Sequence, residues 1–404
     1  MMKICLISNL YSPYVLGGAE VYVQRIAQKL AEKHQVTVIT QQPFRGLSSL
    51  RANEEIQHEV KTYRFYPLNF YFTYYANKAP KWFTPLWHLL NLWNPHSYYV
   101  IKDVLKKEKP DIIHSHITGG FSLSVYSAIK SSGYPHIHTC HGYALLSPWA
   151  ALMRQGKRIS QFNFFDRQFM RITRFFSRTV DVASAPSQFV LDMHLKNNFF
   201  PNSRFVKIPI GIELNDNEKI DKDYQSIDIL YTGQLIPAKG VHTLIESFRK
   251  LSSDNVRLHI TGKGYYESEL RLMAESDSRI VFHGFVTREQ LAGLYQQSNV
   301  AVFPSLFYEN APAVILESFR AGTPVIGSNI GGIPEIIEDG YNGVLFNAGD
   351  SNELKNILQG LISNPSELKR LSDGASQSIK RYDINEHVKK LTELYEEVRV
   401  SPWQ

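Results

Sequence analysis

Val300-Ala-Val-Phe303-Pro-Ser-Leu-Phe-Tyr-Glu309-Asn-Ala-Pro312-Ala-Val-Ile-Leu-Glu317-Ser-Phe-Arg-Ala-Gly322-Thr-Pro-Val325 reads as strand, loop, helix and the start of another strand. The apolar run 300–303 is short and uninterrupted, as a strand buried on both faces is. Pro312 suits a first helical position and Gly322 a helix stop. The same alternation runs through the chain, with strand-like runs near residues 4–7, 36–40, 111–114, 136–140 and 180–183, and a helical pattern over 19–33. It restarts after a polar stretch at 215–224, with strands at 227–231, 256–260, 280–282, 300–303, 325–326 and 344–346. Repeated βα units of this kind make parallel sheets. The expected fold is therefore α/β, with two Rossmann-like domains over residues 1–210 and 225–384, joined by a linker near 210–224. Ligands of open parallel sheets bind beyond the carboxyl ends of the strands, so two such domains facing each other would form a cleft.

Composition agrees with two globular domains. The 404 residues are 43% hydrophobic and 20% charged, with no low-complexity tract, which excludes a disordered chain. No run of 18 apolar residues occurs, since Asn69, Lys78, Pro80, Lys81, Pro85 and Pro95 interrupt the aromatic stretch 65–99. Neither a spanning helix nor an export signal is expected, and the two cysteines, Cys5 and Cys140, read as small buried residues of a cytoplasmic protein. The formal net charge of +6 is matched by the segment 154–178 alone, where seven Lys/Arg face one Asp. A single patch of that kind suits an anionic surface or acceptor rather than a nucleic-acid groove.

Within that patch, Phe162, Phe165, Phe169, Ile172 and Phe176 fall on one face of a helix, and Arg167, Arg171, Arg174 and Arg178 fall on the opposite one. The favoured reading is a core-packed helix whose basic face is solvated. The alternative is a surface for anionic membrane lipid and a lipid-linked acceptor, aided by the aromatic segment 63–93.

Several loops carry chemistry. Residues 304–312 lead into a helix N-terminus, where the amides of Asn310, Ala311 and Ala313 and the helix dipole suit phosphate or sugar oxygens. Glu309 and Glu317 place carboxylates at two depths of one site, apt for ligand hydroxyls. After the strand at 227–231 comes Gly233-Gln234-Leu-Ile-Pro-Ala-Lys239-Gly240, a tight loop with a cation at a helix mouth. Gly331-Gly332-Ile-Pro-Glu335 is another exposed loop. Gly17-Gly18-Ala-Glu20 joins the first strand to the first helix, and His141 stands at the end of the strand near 136–140. His114-Ser-His116 and His136-Ile-His138 lack identifiable partners for a metal, and Asp221-Lys-Asp223 sits in the polar linker, so it reads as solvated; no metal is expected.

Taken together, these residues closely resemble the retaining GT-B glycosyltransferases of family four, the glycosyl transferases group 1. The shared features are the Gly-Gly loop, the strand-end His, the Lys-Gly loop, two Glu separated by seven residues, Ala-Gly-x-Pro-Val-Ile, and Gly-Gly-x-Pro-Glu. The resemblance covers the second domain and the βα framework of the first, and implies that a helix over 385–404 completes the first domain. It further implies that Glu317 binds the nucleotide ribose, Glu309 the donor sugar, and Lys239 with Gln234 the diphosphate. Gly17 and Gly18 would approach the donor phosphates, Asn310, Ala311, Pro312 and Ala313 would hold sugar and phosphate oxygens, and Phe285 and Val286 would border the base. His141, Glu309 and Lys239 would be catalytic.

The implied reaction moves a hexose-type sugar from a UDP- or GDP-sugar, with retention, to a glycan or lipid-linked acceptor in cell-surface polysaccharide synthesis. Gln234 departs from the family, which usually has Arg there, and leaves half of a cationic clamp neutral. A sugar-nucleotide epimerase or other non-transferring GT-B enzyme would share the architecture, and product analysis with and without acceptor separates the two. The paired Glu and His141 argue against a non-enzymatic nucleotide-binding module.

Overall fold

β-branched and apolar runs too short to form helices, separated by amphipathic helices, assemble into two parallel sheets. A computed structural model describes residues 1–150, 152–154, 157–159, 161–214 and 222–400. The chain divides into two compact units: Met1–Ala151, Ser160–Gly211 and Ile384–Gln404 in one, and Leu152–Ile159 with Ile212–Asp383 in the other.

The first unit is built on an eight-stranded sheet in the order Arg204–Lys207, Val182–Ala185, His136–Thr139, Ile112–Ser115, Lys3–Ile7, Gln35–Gln41, Val60–Phe65, Asn53–Gln57. Only the last pair is antiparallel. The hairpin 53–65, with its charged edge strand, had no counterpart in the expected elements. Helix Gly18–Ala31 buries Tyr22, Val23, Ile26, Ala27 and Leu30, spaced three and four residues apart. Each large apolar side chain so buried contributes about 1.5–3 kcal/mol. Helix Ile384–Val400 packs against that helix and buries His387, Leu391, Leu394, Tyr395 and Val398. Of the helix expected over 385–404, residues 401–404 lie outside the described residues. Cys5 and Cys140 are both buried, and burial pushes both thiols well above their ordinary range.

The second unit has six parallel strands in the order Ile280–Gly284, Val256–Thr261, Ile227–Thr232, Val300–Phe303, Val325–Ser328, Gly343–Phe346. Its core joins Ile229, Leu258, Ile260 and Val302 of the sheet to Leu244 and Phe248 of helix Val241–Arg249 and to Leu354 and Leu358 of helix Ser351–Ser363. The chain first adds strands on one side of Ile227–Thr232 and then crosses to the other side with Val300–Phe303. This reversal opens a crevice at the carboxyl ends of those two strands.

Two expectations are corrected. Helix Phe164–Ser177 buries its expected apolar face only in part: Phe162, Phe169 and Phe176 are half-buried, Phe165 and Ile172 are exposed, and the fully buried residues are Asp166, Met170, Thr173 and Ser177. Small polar groups reach the interior because each is satisfied locally. Thr173 Oγ1 donates to Leu145 O at 2.8 Å, and Asp166 pairs with Asn163 in a reciprocal cap. Phe164, Phe165, Ile172 and Phe175 are exposed, along with Arg167, Arg171 and Arg178. Secondly, Lys222 is not solvated. Its ammonium is drawn in by Tyr295 O at 3.3 Å, Ser298 O and Thr323 Oγ1, and burial lowers its pKa to about 7. Asp221, in the same motif, lies outside the described residues.

The aromatic stretch after Phe65 folds into short 3-10 turns and the helix Thr84–Leu92, leaving Trp82, Leu86 and Leu89 exposed. Among the described residues, no helix is long and apolar enough to cross a membrane.

Candidate active site

In the second unit, the crevice between Ile227–Thr232 and Val300–Phe303 is lined by the loops that follow them. Gly240, with φ +70°, closes the first loop against the second: a Cβ there would stand 1.9 Å from Pro304 O. No other residue type fits. Leu306 N donates to Ala238 O at 2.9 Å, holding the loops together. Lys239 ends a one-turn 3-10 helix, Pro237–Lys239, and its Nζ lies 2.6 Å from Glu309 Oε1. Ser305 Oγ donates to the same oxygen at 2.9 Å. Glu309 is 8% exposed. Two donors thus hold one carboxylate oxygen, while Oε2 has no partner among the described residues and remains available to a ligand.

A third loop completes the surroundings of Glu309. Gly332 N donates to Glu309 O at 2.8 Å, and at Gly331, φ +62°, a Cβ would stand 2.5 Å from that oxygen. Pro312 is the residue before the helix, not its first member; the helix runs Ala313–Arg320 and has no side-chain cap. Uncapped first-turn amides and the positive dipole end favour an anionic or oxygen-rich ligand. Tyr295 OH donates to Val314 O at 3.1 Å and steadies this turn. Burial first, and the nearby Glu317 carboxylate second, hold the Tyr295 phenol well above its ordinary pKa. Glu317 is half-buried on the same helix.

Gln234 is exposed, just past Tyr231, whose hydroxyl donates to Gln234 O at 2.9 Å. The turns of the neighbouring strands stack beside it: Leu235 N donates to Lys263 O at 3.0 Å, and Gly262 N to Gly284 O at 2.7 Å. Phe285 follows, 74% exposed, with Val286 half-buried after it. The guanidinium of Arg158 lies 5.9 Å from the ring of Tyr308, the chain neighbour of Glu309.

In the first unit, the sheet reverses between Lys3–Ile7 and Ile112–Ser115. Gly17 and Gly18 are exposed at the start of helix Gly18–Ala31. Gly17 N donates to Glu20 Oε2 at 2.9 Å, so of the two glycine amides Gly18 is the one open to a ligand. His141 follows strand His136–Thr139, half-buried. Burial lowers its pKa to about 4, so the imidazole is neutral at neutral pH. Its Nε2 lies 3.1 Å from His116 Nδ1. Among the described residues, no group of three His, Cys, Asp or Glu is arranged to hold a metal ion.

Residue patterns alone did not indicate Ser305, Tyr295, Lys222 or the pairing of His116 with His141. Only His116 had a signal, its place in His-Ser-His at a strand end.

The comparisons with known proteins agree with this architecture. A family model described as glycosyl transferases group 1 matches residues 213–378, and one described as glycosyltransferase family 4 matches residues 16–216. An uncharacterized glycosyltransferase of Methanocaldococcus jannaschii is 26% identical, over 98% of this chain and 99% of its own. The sucrose-phosphate synthase of Thermosynechococcus elongatus superposes with a TM-score of 0.76 at 18% identity, covering 98% of this chain and 99% of that one. Anabaena HepE, solved with UDP and glucose, superposes with a TM-score of 0.70 at 19% identity, covering 98% of this chain and all of that one, 100%. These two likenesses show the fold, GT-B. With both halves matched by glycosyltransferase family models, the chain belongs to the group 1 glycosyltransferases and is itself a glycosyltransferase.

Proposed function

We propose that this enzyme takes a hexose from a UDP- or GDP-sugar and passes it, with retention of anomeric configuration, to a glycan or lipid-linked acceptor in cell-surface polysaccharide synthesis. The observation that carries the donor assignment is the Lys239–Glu309 pair set beside an uncapped helix N-terminus at the sheet's switch point. Glu317 holds the ribose hydroxyls, Glu309 Oε2 a hydroxyl of the donor sugar, and the base lies along Phe285 and Val286. As the bond from the anomeric carbon to the phosphoryl oxygen breaks, the negative charge that develops on the diphosphate meets Lys239 and the amides of Asn310, Ala311 and Ala313. Gly18 approaches the same phosphates, and His141 touches the sugar near its reacting carbon. No metal takes part. Thermal unfolding with a panel of nucleoside diphosphates and their sugars tests this: UDP or GDP should raise Tm, equally with and without chelator. No shift with any of them would refute the donor assignment.

The acceptor side rests on helix Phe164–Ser177. Exposed Phe164, Phe165, Ile172 and Phe175 beside exposed Arg167, Arg171 and Arg178 favour the membrane surface over the core-packed reading, because these apolar groups can enter the interfacial layer while the arginines, with half-buried Arg174, meet anionic headgroups. The enzyme then works as a peripheral protein at the inner face of the cell membrane. Changing Arg167, Arg171 and Arg174 together to Gln should sharply reduce binding to anionic vesicles, and binding by the parent should weaken with added salt. Equal vesicle binding by variant and parent would remove this part of the proposal.

A further inference from the structure

The carboxyl ends of strands Ile112–Ser115 and His136–Thr139 carry an unusual density of imidazoles, and their protonation can be worked out one ring at a time. Burial holds the pKa of His114, His116 and His138 well below the ordinary value, and lowers those of His141, His194 and His387 to about 4. Each ring is therefore neutral, with one N–H and one bare nitrogen. His387 Nδ1 lies 2.7 Å from Pro209 O; a carbonyl only accepts, so the proton is on Nδ1, and Nε2 accepts from Tyr22 OH at 3.0 Å. His194 Nδ1 likewise donates to Val190 O at 2.8 Å, which leaves its Nε2 bare.

The 3.1 Å contact between His116 Nδ1 and His141 Nε2 holds one proton, and one ring owns it. His116 is 2% exposed, and its Nε2 is sealed from solvent with no partner among the described residues. It borders a small cavity of about 50 Å³, with His194, His138, Tyr126 and Cys140 in the same wall. If His141 owned the shared proton, His116 would carry its own on the sealed Nε2. A buried N–H without a protein acceptor is among the rarest features of native interiors, whereas a bare acceptor is better tolerated.

We propose that His116 is a positioning residue: its Nδ1–H donates to His141 Nε2, and so fixes His141 in the tautomer that presents Nδ1–H to the substrate. His141 Nδ1 has no partner among the described residues. It is a hydrogen-bond donor to a substrate oxygen, and with both nitrogens committed it does not take the proton of the acceptor hydroxyl. Tyr22, its ring centroid 5.3 Å from that of His141 and its hydroxyl held by His387, keeps the imidazole from rotating out of this arrangement. The statement about the substrate rests on the reading of His141 as a contact of the donor sugar; the tautomer does not.

Long-range proton–nitrogen correlation on the full chain with 15N-labelled histidine separates these points, with His141 assigned from the spectrum of His141→Gln. The expected result is a protonated Nδ1 and an unprotonated Nε2 for His141; a protonated Nε2 overturns the proposal, whatever the enzyme's substrate. In kinetics, His116→Leu should lower kcat about tenfold, the scale of losing one hydrogen bond, with nucleoside-diphosphate affinity unchanged. His116→Asn, whose amide can stand in for Nδ1–H, should recover most of that loss. Unchanged kcat in His116→Leu, in a protein that still binds nucleoside diphosphate, overturns the positioning role. Failure of the parent to bind any nucleoside diphosphate would instead refute the donor assignment and leave the tautomer result standing.

Discussion

Lys239→Ala should lower turnover by roughly a hundredfold or more, the scale of removing one contact that stabilises charge in a transition state. Two effects act together. The diphosphate loses its cation where Gln234 supplies only a neutral amide. Glu309, 8% exposed, loses the ammonium 2.6 Å from its Oε1 and keeps only Ser305 on that oxygen. An uncompensated, largely buried carboxylate also repels an incoming phosphate, so donor affinity should fall along with kcat. Steady-state rates of sugar transfer over a range of donor concentrations provide the check. Turnover close to the parent's would mean that the amides of Asn310, Ala311 and Ala313 and Gln234 suffice without the charge.

The second large effect is on stability. His114, His116, His136, His138, His194 and His387 are all buried in the first unit, and burial depresses the pKa of every one, to about 3 for His136 and about 4 for His194 and His387. The unfolded chain titrates these groups near 6.5. As pH falls below that value, the unfolded state takes up protons that the folded state excludes, so stability is lost on acidification and is fully present above about pH 7. A depression of that size is worth on the order of 3 kcal/mol per histidine once the pH is below the folded value. His136, His194 and His387 together amount to about 10 kcal/mol, within the roughly 5–15 kcal/mol of an ordinary domain, and the depressed pKa values of His114, His116 and His138 add in the same direction. The first unit should therefore unfold before pH 4 is reached, with Tm already falling between pH 7 and 5. A Tm constant over that interval would contradict the burial of these rings.

The alternation of strands and helices was legible because strands buried on both faces are continuous apolar runs. The runs at 227–231 and 300–303 became Ile227–Thr232 and Val300–Phe303 with at most one residue's change. The face of helix Phe164–Ser177 was not legible. Its strongest periodicity is aromatic, but hydrophobic residues are not obliged to be inside, and Asp166, Thr173 and Ser177 reach the interior through bonds that depend on Asn163, Leu145 and Arg174. Lys222 was misread for a similar reason: its acceptors are backbone carbonyls of residues 295 and 298 and the hydroxyl of Thr323, which no residue pattern announces. At the site, Lys239 and Glu309 were each visible as loop residues beside a helix start. Their direct pairing, 70 positions apart in the chain, depends on the crossing of the sheet at its switch point.

The central claim is that a nucleoside diphosphate binds at the carboxyl ends of Ile227–Thr232 and Val300–Phe303, with its ribose on Glu317. Isothermal titration of UDP and GDP into the parent and into Glu317→Gln tests it most directly. A carboxylate accepts from two ribose hydroxyls where an amide oxygen accepts more weakly, so one nucleotide should bind the parent and lose about tenfold or more in affinity for the variant, the scale of a hydrogen bond to a charged group. Equal affinity of parent and variant would contradict the account.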